Sequence, residues 1–268
     1  MNNNSIGVFD SGLGGLTAVK SIIKEMPNEN IVYFGDTARL PYGTKTEQTI
    51  KQYAESDIRF LLSHDVKLIV IACGTASSVA LDDMRKIFPA KIIGVVETAC
   101  EAAVKATKNG RIGVLGTSAT IKSSSYLKGI AKLNSSARVY QKACPLFVPL
   151  VENGHFNTEV TRLVVAEYLE DIKKENVDTL ILGCTHYPLL EDAIREYMGD
   201  GVTIINVGAE LAKAIPSILG EDNLASRDAT GVCNYYVSDN PDGFAELGGV
   251  FLDRKIDGQV EEIDIEKY

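Results

Sequence analysis

The stretches VKLIVIAC (66–73) and VDTLILGC (177–184) decide the fold, because each is a short apolar run that ends at a cysteine. Apolar runs of this length, rich in Val, Ile and Leu, are typical of strands buried in parallel sheets. Cys73 and Cys184 lie 111 positions apart, so the same local pattern occurs once in each half of the chain.

Three further strand-like segments repeat in the same order around this pair. The segments are SIGVFD (5–10), NIVYFGD (30–36) and KIIGVV (91–96) in the first half, and RIGVLGTS (111–118), ARVYQKA (137–143) and VTIINV (202–207) in the second. The offsets between equivalent segments fall between about 106 and 112 residues. A near-constant offset indicates an internal repeat, with chance similarity among apolar strands as the alternative. We therefore predict two similar domains related by pseudo-twofold symmetry.

Amphipathic stretches between these segments predict helices. Apolar residues from Leu16 to Met26, and again from Ile50 to Leu62, recur at spacings near 3.6 residues. Strands that alternate with helices predict an α/β fold with parallel sheets. The active site is expected in the cleft between the two parallel-sheet domains.

The domain bounds follow from where the repeat begins and ends. The second domain is predicted over 98–207, and the first over 1–97 plus 208–268, since about 60 residues follow the second repeat. This C-terminal segment contains a predicted helix (209–218) and a predicted strand (260–265), and we expect it to return to the first domain.

The composition of the 268 residues excludes several classes of protein. An apolar fraction of 45% permits a large core, and a net charge of −9 argues against a nonspecific nucleic-acid surface. The N-terminus lacks the features of a signal peptide, and no apolar run reaches the roughly 18 residues that span a bilayer, so a cytoplasmic protein is expected. Five scattered cysteines and three histidines predict free thiols and no metal site.

The loop DSGLGG (10–15) follows the first predicted strand, at the edge of the sheet where α/β proteins bind ligands. Its spacing fits neither GxGxxG nor GxxxxGK[ST], which disfavours a nucleotide site. A plain tight turn and a site for a small carboxylate remain as alternatives. In the second case Asp10 and Ser11 would contact polar groups of the ligand.

Cys73 and Cys184 are the strongest candidates for chemistry, since both end a predicted central strand at equivalent positions. They could form a redox disulfide, bind a metal or transfer protons; CxxC spacing and further ligands are missing, so proton transfer fits best. Inversion of a carbon centre needs a base on one face and an acid on the other. Asp10, Glu152 and His186 could relay protons to these thiols, although a solvated carboxylate is the alternative for Asp10 and Glu152. The remaining cysteines are expected to be inert core residues, namely Cys100, Cys144 and Cys233.

Five ordered motifs resemble the glutamate racemase family. They are FDSGLGGL (9–16), YFGDTARLPYG (33–43), ACGTAS (72–77), FVPLVENG (147–154) and LGCTHYPLL (182–190). The resemblance runs from residue 5 to about residue 210. It implies a cofactor-independent enzyme that interconverts L- and D-glutamate for peptidoglycan synthesis, commonly as a homodimer.

The resemblance also implies roles for individual residues. Cys73 would handle the proton of D-glutamate and Cys184 that of L-glutamate, with assistance from Asp10, Glu152 and His186. The substrate would be bound by Asp10, Ser11, Tyr42, Gly43, Gly74, Thr75, Thr185 and His186.

Two positions depart from the family pattern. Gly74 stands where the family usually has Asn, and Thr98 where many members have Pro. A lost hydrogen bond is worth roughly 0.5–1.5 kcal/mol, so we expect altered affinity rather than lost activity. Two other functions stay open: an aspartate racemase of the same superfamily, and a noncatalytic ligand-binding or inhibitor protein.

Overall fold

The computed structural model describes residues 3–221, 224–226, 230–256 and 258–268. Within these residues, ten strands lie in two sheets. The strands are β1 (Ile6–Asp10), β2 (Ile31–Gly35), β3 (Leu68–Ile71), β4 (Ile92–Gly94), β5 (Arg111–Gly116), β6 (Arg138–Ala143), β7 (Thr179–Leu182), β8 (Thr203–Asn206), β9 (Cys233–Val237) and β10 (Val260–Glu262).

Helices connect the strands. They are α1 (Leu16–Glu25), α2 (Glu47–Leu62), α3 (Gly74–Ile87), α4 (Val95–Ala106), α5 (Ser118–Ser123), α6 (Ser125–Leu133), α7 (Phe147–Glu152), α8 (Glu159–Lys174), α9 (Glu191–Met198), α10 (Val207–Glu221) and α11 (Pro241–Leu252). Short 3-10 turns cover Thr37–Arg39, Tyr42–Thr44, Tyr187–Leu190 and Ile265–Lys267.

The two sheets share one strand order. The second sheet runs β6-β5-β7-β8, and the first contains β2-β1-β3-β4 in the equivalent positions. Each pairing between these strands is parallel. The prediction of an α/β fold with two similar parallel-sheet domains is therefore confirmed.

The C-terminal part of the chain extends the first sheet. β9 pairs with β2, and β10 pairs with β9, which gives a six-stranded order of β10-β9-β2-β1-β3-β4. The predicted domain bounds stay a prediction, and six residues of the predicted 208–268 segment (222–223, 227–229 and 257) lie outside the described residues.

Apolar residues cover both faces of the first sheet. Ile6 and Val8 of β1 pack in one buried cluster with α1, whereas Phe9 packs in a second cluster with α2 and α3. The alternation follows from the period of two along a strand. Burial on both faces explains why β1 reads as a continuous apolar run, and it leaves the carboxyl ends of the strands as the place for polar groups.

The C-terminal elements differ in part from their predicted bounds. The helix predicted at 209–218 is longer (Val207–Glu221), and the strand predicted at 260–265 ends at Glu262. Ile265 instead begins a 3-10 turn and buries its side chain in the core of the first sheet. Within the described residues, no helix combines the length and the apolar character needed to cross a membrane.

Candidate active site

One cavity of about 310 Å³ lies at the carboxyl ends of the strands of both sheets. Cys73 follows β3 and Cys184 follows β7, and both line this cavity. The other residues that line it are Ser11, Leu40, Pro41, Tyr42, Gly43, Thr44, Gly74, Thr75, Thr117, Ser118, Cys144, Pro145, Val148, Pro149, Glu152, Thr185 and His186. The structure thus brings together all the candidate site residues except Asp10, which lies beneath the cavity wall.

Cys73 caps the N-terminus of α3 with its sulfur. The backbone N–H of Ala76 donates to Cys73 Sγ at 3.4 Å, and the thiol donates to Ser11 Oγ at 3.6 Å. Burial and the charge of Asp10 raise the pKa of Cys73 to about 12, against the opposing effect of these hydrogen bonds. Cys73 is therefore a neutral thiol near pH 7, able to donate a proton.

Cys184 has a different electrostatic environment, because an imidazole lies beside it. His186 Nδ1 is 3.9 Å from Cys184 Sγ, and His186 Nε2 is 3.0 Å from Glu152 Oε1. Burial opposes protonation of His186, but the hydrogen bonds to Cys184 and Glu152 outweigh it and raise the pKa of His186 to about 10. The imidazole ring is therefore a cation near pH 7, held between a sulfur and a carboxylate.

Asp10 is fully buried and acts between the two halves of the molecule. Its Oδ1 accepts from the Gly12 backbone N–H at 2.9 Å, and its Oδ2 accepts from Thr185 Oγ1 at 3.2 Å. Burial raises the pKa of the Asp10 carboxyl, whereas the nearby His186 limits the rise. These contacts place Asp10 where it holds Thr185, the residue after Cys184.

Tyr42 and Gly43 approach the cavity in different ways. The Tyr42 side chain is only 1% exposed, and its hydroxyl forms hydrogen bonds with the carboxyl groups of Asp36 and Asp57. A Cβ built on Gly43 would lie 2.8 Å from the Cβ of Thr117, so the turn at Gly43 sits directly against the second half of the molecule. The contribution of this turn to a ligand site comes from its backbone.

Gly74 and Thr75 bring the start of α3 against the second half of the molecule. A Cβ on Gly74 would overlap the carbonyl oxygen of Gly183, the residue before Cys184. Thr75 Oγ1 lies 2.9 Å from Thr117 Oγ1, which joins the two halves by a hydrogen bond. The helix N-terminus and the hydroxyl groups provide donors suited to an anion.

Several lining residues were not among the predicted site residues. Thr117 and Ser118 follow β5, the strand equivalent to β1. The repeat itself could have identified them, because they occupy the positions equivalent to Ser11 and Gly12. Cys144 follows β6 and lines the cavity, although the sequence suggested only an inert core residue. Pro145 and Val148 carry no polar signal that could have marked them.

No group of three or more His, Cys, Asp or Glu side chains in the described part of the chain could hold a metal ion. The polar groups of the cavity are thiols, hydroxyls, one imidazole, one carboxylate and backbone N–H groups. Such an arrangement can bind an anionic ligand and can exchange protons with it.

Comparisons with known proteins agree with this geometry. The family model for Asp/Glu/hydantoin racemases matches residues 9–215. A glutamate racemase of Geobacter metallireducens is 44% identical over 263 residues, which cover 98% of this chain and 97% of that protein.

Solved structures show the same fold. The glutamate racemase isoform RacE1 of Bacillus anthracis has a TM-score of 0.95 at 35% identity, covering 98% of both chains. A glutamate racemase of Francisella tularensis, solved in complex with D-glutamate, has a TM-score of 0.94 at 37% identity, covering 100% of both chains. The chain therefore belongs to the Asp/Glu/hydantoin racemase family of isomerases, among its glutamate racemases.

Proposed function

We propose that the protein interconverts L- and D-glutamate by moving the α-proton between two cysteines, without a cofactor. One observation carries the proposal: Cys73 and Cys184, at the ends of equivalent strands, line the same cavity. Inversion at the α-carbon requires removal of a proton on one face and delivery on the other, which two opposed thiols can perform. The relatives named glutamate racemase support glutamate as the substrate.

The two cysteines have different neighbours. The cationic His186 lies 3.9 Å from Cys184 Sγ, whereas burial keeps Cys73 as a thiol. In the L-to-D direction the Cys184 thiolate takes the α-proton, and the Cys73 thiol delivers its own proton to the opposite face. The reverse direction exchanges the two roles, and proton exchange with solvent restores the starting state.

The substrate is held by groups that favour its anionic ends. The N-terminus of α3 at Gly74 and Thr75, and the backbone at Gly43, offer N–H donors to a carboxylate. Hydroxyl groups complete the site, and they belong to Ser11, Thr75, Thr117 and Thr185. Glu152 positions His186 through their 3.0 Å contact, and Asp10 positions Thr185.

The wider role follows from the reaction. D-glutamate made by such an enzyme would supply peptidoglycan synthesis in the cytoplasm. A homodimer stays a prediction, and sedimentation velocity of the full chain would check it.

The decisive experiment compares substrates and cysteine variants. Without added pyridoxal phosphate, we expect racemisation of L-glutamate in preference to L-aspartate, with deuterium entering the α-carbon from D₂O. Cys73→Ser and Cys184→Ser should each abolish racemisation, while Cys233→Ser, at a partly exposed cysteine outside the cavity, should leave it intact.

Three outcomes would contradict the proposal. Activity on aspartate alone would make the protein an aspartate racemase. Racemisation that survives in both cysteine variants would exclude the two-thiol mechanism. Glutamate binding without any deuterium exchange in the wild-type protein would favour a noncatalytic ligand-binding protein.

A further inference from the structure

Four buried side chains lie beneath the turn that carries Tyr42 and Gly43. We call them the Asp36 cluster: Asp36, Arg39, Tyr42 and Asp57. Asp36 and Asp57 are both 0% exposed, and the Arg39 side chain is 10% exposed. Asp36 follows β2, Arg39 and Tyr42 lie in the two 3-10 turns after it, and Asp57 projects from α2.

Hydrogen bonds join each of the two carboxyl groups of the Asp36 cluster to both Arg39 and Tyr42. Arg39 Nε donates to Asp36 Oδ2 at 2.6 Å, and Arg39 Nη2 donates to Asp57 Oδ1 at 2.7 Å. The Tyr42 hydroxyl contacts Asp36 Oδ2 and lies 3.0 Å from Asp57 Oδ2. Ser238 Oγ, next to β9, donates to Asp36 Oδ1 at 2.9 Å.

The Tyr42 hydroxyl has too few protons to donate a hydrogen bond to two ionised carboxylates. A phenol has one O–H donor, yet the Tyr42 oxygen lies between one oxygen of Asp36 and one oxygen of Asp57. An ionised carboxylate only accepts hydrogen bonds, so with both ionised one of these contacts would join two acceptors. A proton on one of these two carboxyl oxygens removes the conflict. With the proton on Asp57 Oδ2, Asp57 donates to Tyr42 and Tyr42 donates to Asp36.

The number of charges also requires one neutral carboxyl group. Among the described residues, Arg39 is the one cation in contact with the two buried carboxyl groups, and it balances one negative charge, not two. The other described contacts of Arg39 add no second cation: Arg39 stacks on the Tyr53 ring at 4.3 Å, and Glu266, 3.9 Å from Arg39 Nη1, is 79% exposed. A second uncompensated charge in a buried site is costly, which favours one neutral carboxyl group.

Asp36 accepts from both Arg39 Nε and Ser238 Oγ. Within the described part of the chain, Asp57 accepts only from Arg39 Nη2 besides its Tyr42 contact, so Asp57 is the less stabilised anion. Burial and the charge of Asp36 raise the pKa of Asp57 well above its usual range.

The Asp36 cluster supports the cavity directly. Tyr42 and Gly43 line the cavity, and Gly43 is pressed against Thr117 of the second half. The hydroxyl that fixes Tyr42 points away from solvent into the cluster. A change in the cluster therefore moves the backbone that faces the ligand.

We propose that Asp57 carries a proton on Oδ2, which it donates to the Tyr42 hydroxyl, and that the Asp36 cluster so formed positions the Tyr42–Gly43 turn for substrate binding. Asp36 and Arg39 form the ion pair of the cluster, and Asp57 and Tyr42 form its neutral hydrogen-bonded part. All four are positioning residues. The kinetic part of this proposal rests on the proposed glutamate racemase activity.

Matched Asp→Asn variants of the full chain separate the two carboxyl groups. Asn resembles a protonated Asp in shape and can donate from its amide, so the conservative variant Asp57→Asn should keep KM for L-glutamate within about threefold. Asp36→Asn leaves Arg39 without its anion and should raise KM by about tenfold, with a smaller effect on kcat. Its melting temperature should also fall below that of Asp57→Asn. Asp200→Asn, at an exposed turn, serves as the control.

A Tyr42→Phe variant keeps the test informative if Asp36→Asn does not fold. It removes the hydroxyl between the two carboxyl groups, and we again expect KM to rise more than kcat falls. Equal losses in Asp36→Asn and Asp57→Asn would contradict the assignment, because they would mean that both carboxyl groups are needed as anions.

Infrared spectroscopy tests the proton without using activity. The difference spectrum between the wild-type protein and Asp57→Asn should contain the C=O stretch of a protonated carboxylic acid, which shifts in D₂O. Its absence near pH 7 would overturn the proposal. If no form of the protein racemises glutamate, the proposed function fails, but this band and the melting temperatures still decide the state of Asp57.

Discussion

Gly74 shows how a single missing side chain affects this site. An added Cβ would overlap the Gly183 carbonyl oxygen and would lie 3.1 Å from its carbon and 3.4 Å from Cys184 Cα. From the sequence we expected only a lost polar contact relative to the family's usual Asn. In the structure the absence of a Cβ also lets the chain at Cys73 and the chain at Cys184 approach closely. Gly74 therefore has a steric role that its residue type alone does not reveal.

This steric role predicts the effect of refilling the position. Gly74→Ala and Gly74→Asn should each lower the free energy of unfolding by about 1–3 kcal/mol, since backbone must move to relieve the overlap. Activity with L-glutamate should fall as well, because the two cysteines are pushed apart. Chemical denaturation and steady-state kinetics measure both effects.

Gly201→Ala is the matched control, since a Cβ there meets no atom within 4 Å. A large rise in turnover in Gly74→Asn, with unchanged stability, would show that the close approach at Gly74 is not needed.

The contact between His186 and Glu152 predicts a pH dependence. The pKa of His186 is raised from an ordinary value near 6.5 to about 10. The stability that the protonated imidazole gives the folded protein is therefore fully present below about pH 6.5. This contribution is lost as the pH rises towards 10. Glu152→Gln removes the carboxylate and should lower the pKa of His186, so the alkaline decline of kcat/KM for L-glutamate moves to lower pH. Rate profiles from about pH 6 to 10 measure the shift.

Glu196→Gln, at a side chain that is 61% exposed, is the control for this experiment. An alkaline decline that stays at the same pH in Glu152→Gln would mean that Glu152 does not hold the proton on His186.

At the scale of elements, the strands β1 to β8 and β10 were predicted from the sequence, whereas β9 was not. Most of the strands β1 to β8 contain a short run of branched apolar residues, which the sequence shows directly, whereas β6 contains only Val139 and was predicted from the repeat. The helix α11 contains Gly243, Gly248 and Gly249, and glycine disfavours helices, so its sequence gives a weak signal. Asn240 and Pro241 mark its start and could have indicated it. The position of the strand β9 is set by its pairing with β2, a strand that lies far from it in the sequence.

Two glycines of α10 predict opposite effects of one substitution. A Cβ on Gly208 would lie 3.0 Å from Ala18 Cα in α1, whereas a Cβ on Gly220 meets nothing within 4 Å. Gly208→Ala should destabilise the protein by about 1 kcal/mol or more, because α10 is forced away from α1. Gly220→Ala should stabilise it by up to about 1 kcal/mol, through helix propensity. Urea denaturation of the two variants measures the difference, and stabilisation of both would show that α1 and α10 tolerate a wider spacing.

At the scale of the whole molecule, the repeat makes one site from two similar halves. Equivalent strands β3 and β7 deliver Cys73 and Cys184 to one cavity, and hydrogen bonds between the halves hold it. Thr17 Oγ1 donates to the Thr185 carbonyl at 2.9 Å, in addition to the Thr75–Thr117 contact. The halves differ at the two cysteines, since the imidazole of His186 lies beside Cys184 and not beside Cys73.

The sequence by itself determined the repeated strand segments of both halves, the equivalence of the two cysteines and about half of the residues that line the cavity. Those features are local, because apolar runs, turn residues and the repeat are visible within short segments. The tertiary structure alone decided that Asp10 lies beneath the cavity, that the Tyr42 hydroxyl belongs to the Asp36 cluster and that Gly74 meets Gly183. These features depend on distances between segments far apart in the chain, and burial, charge and proton balance in such places are set only once the two halves pack together.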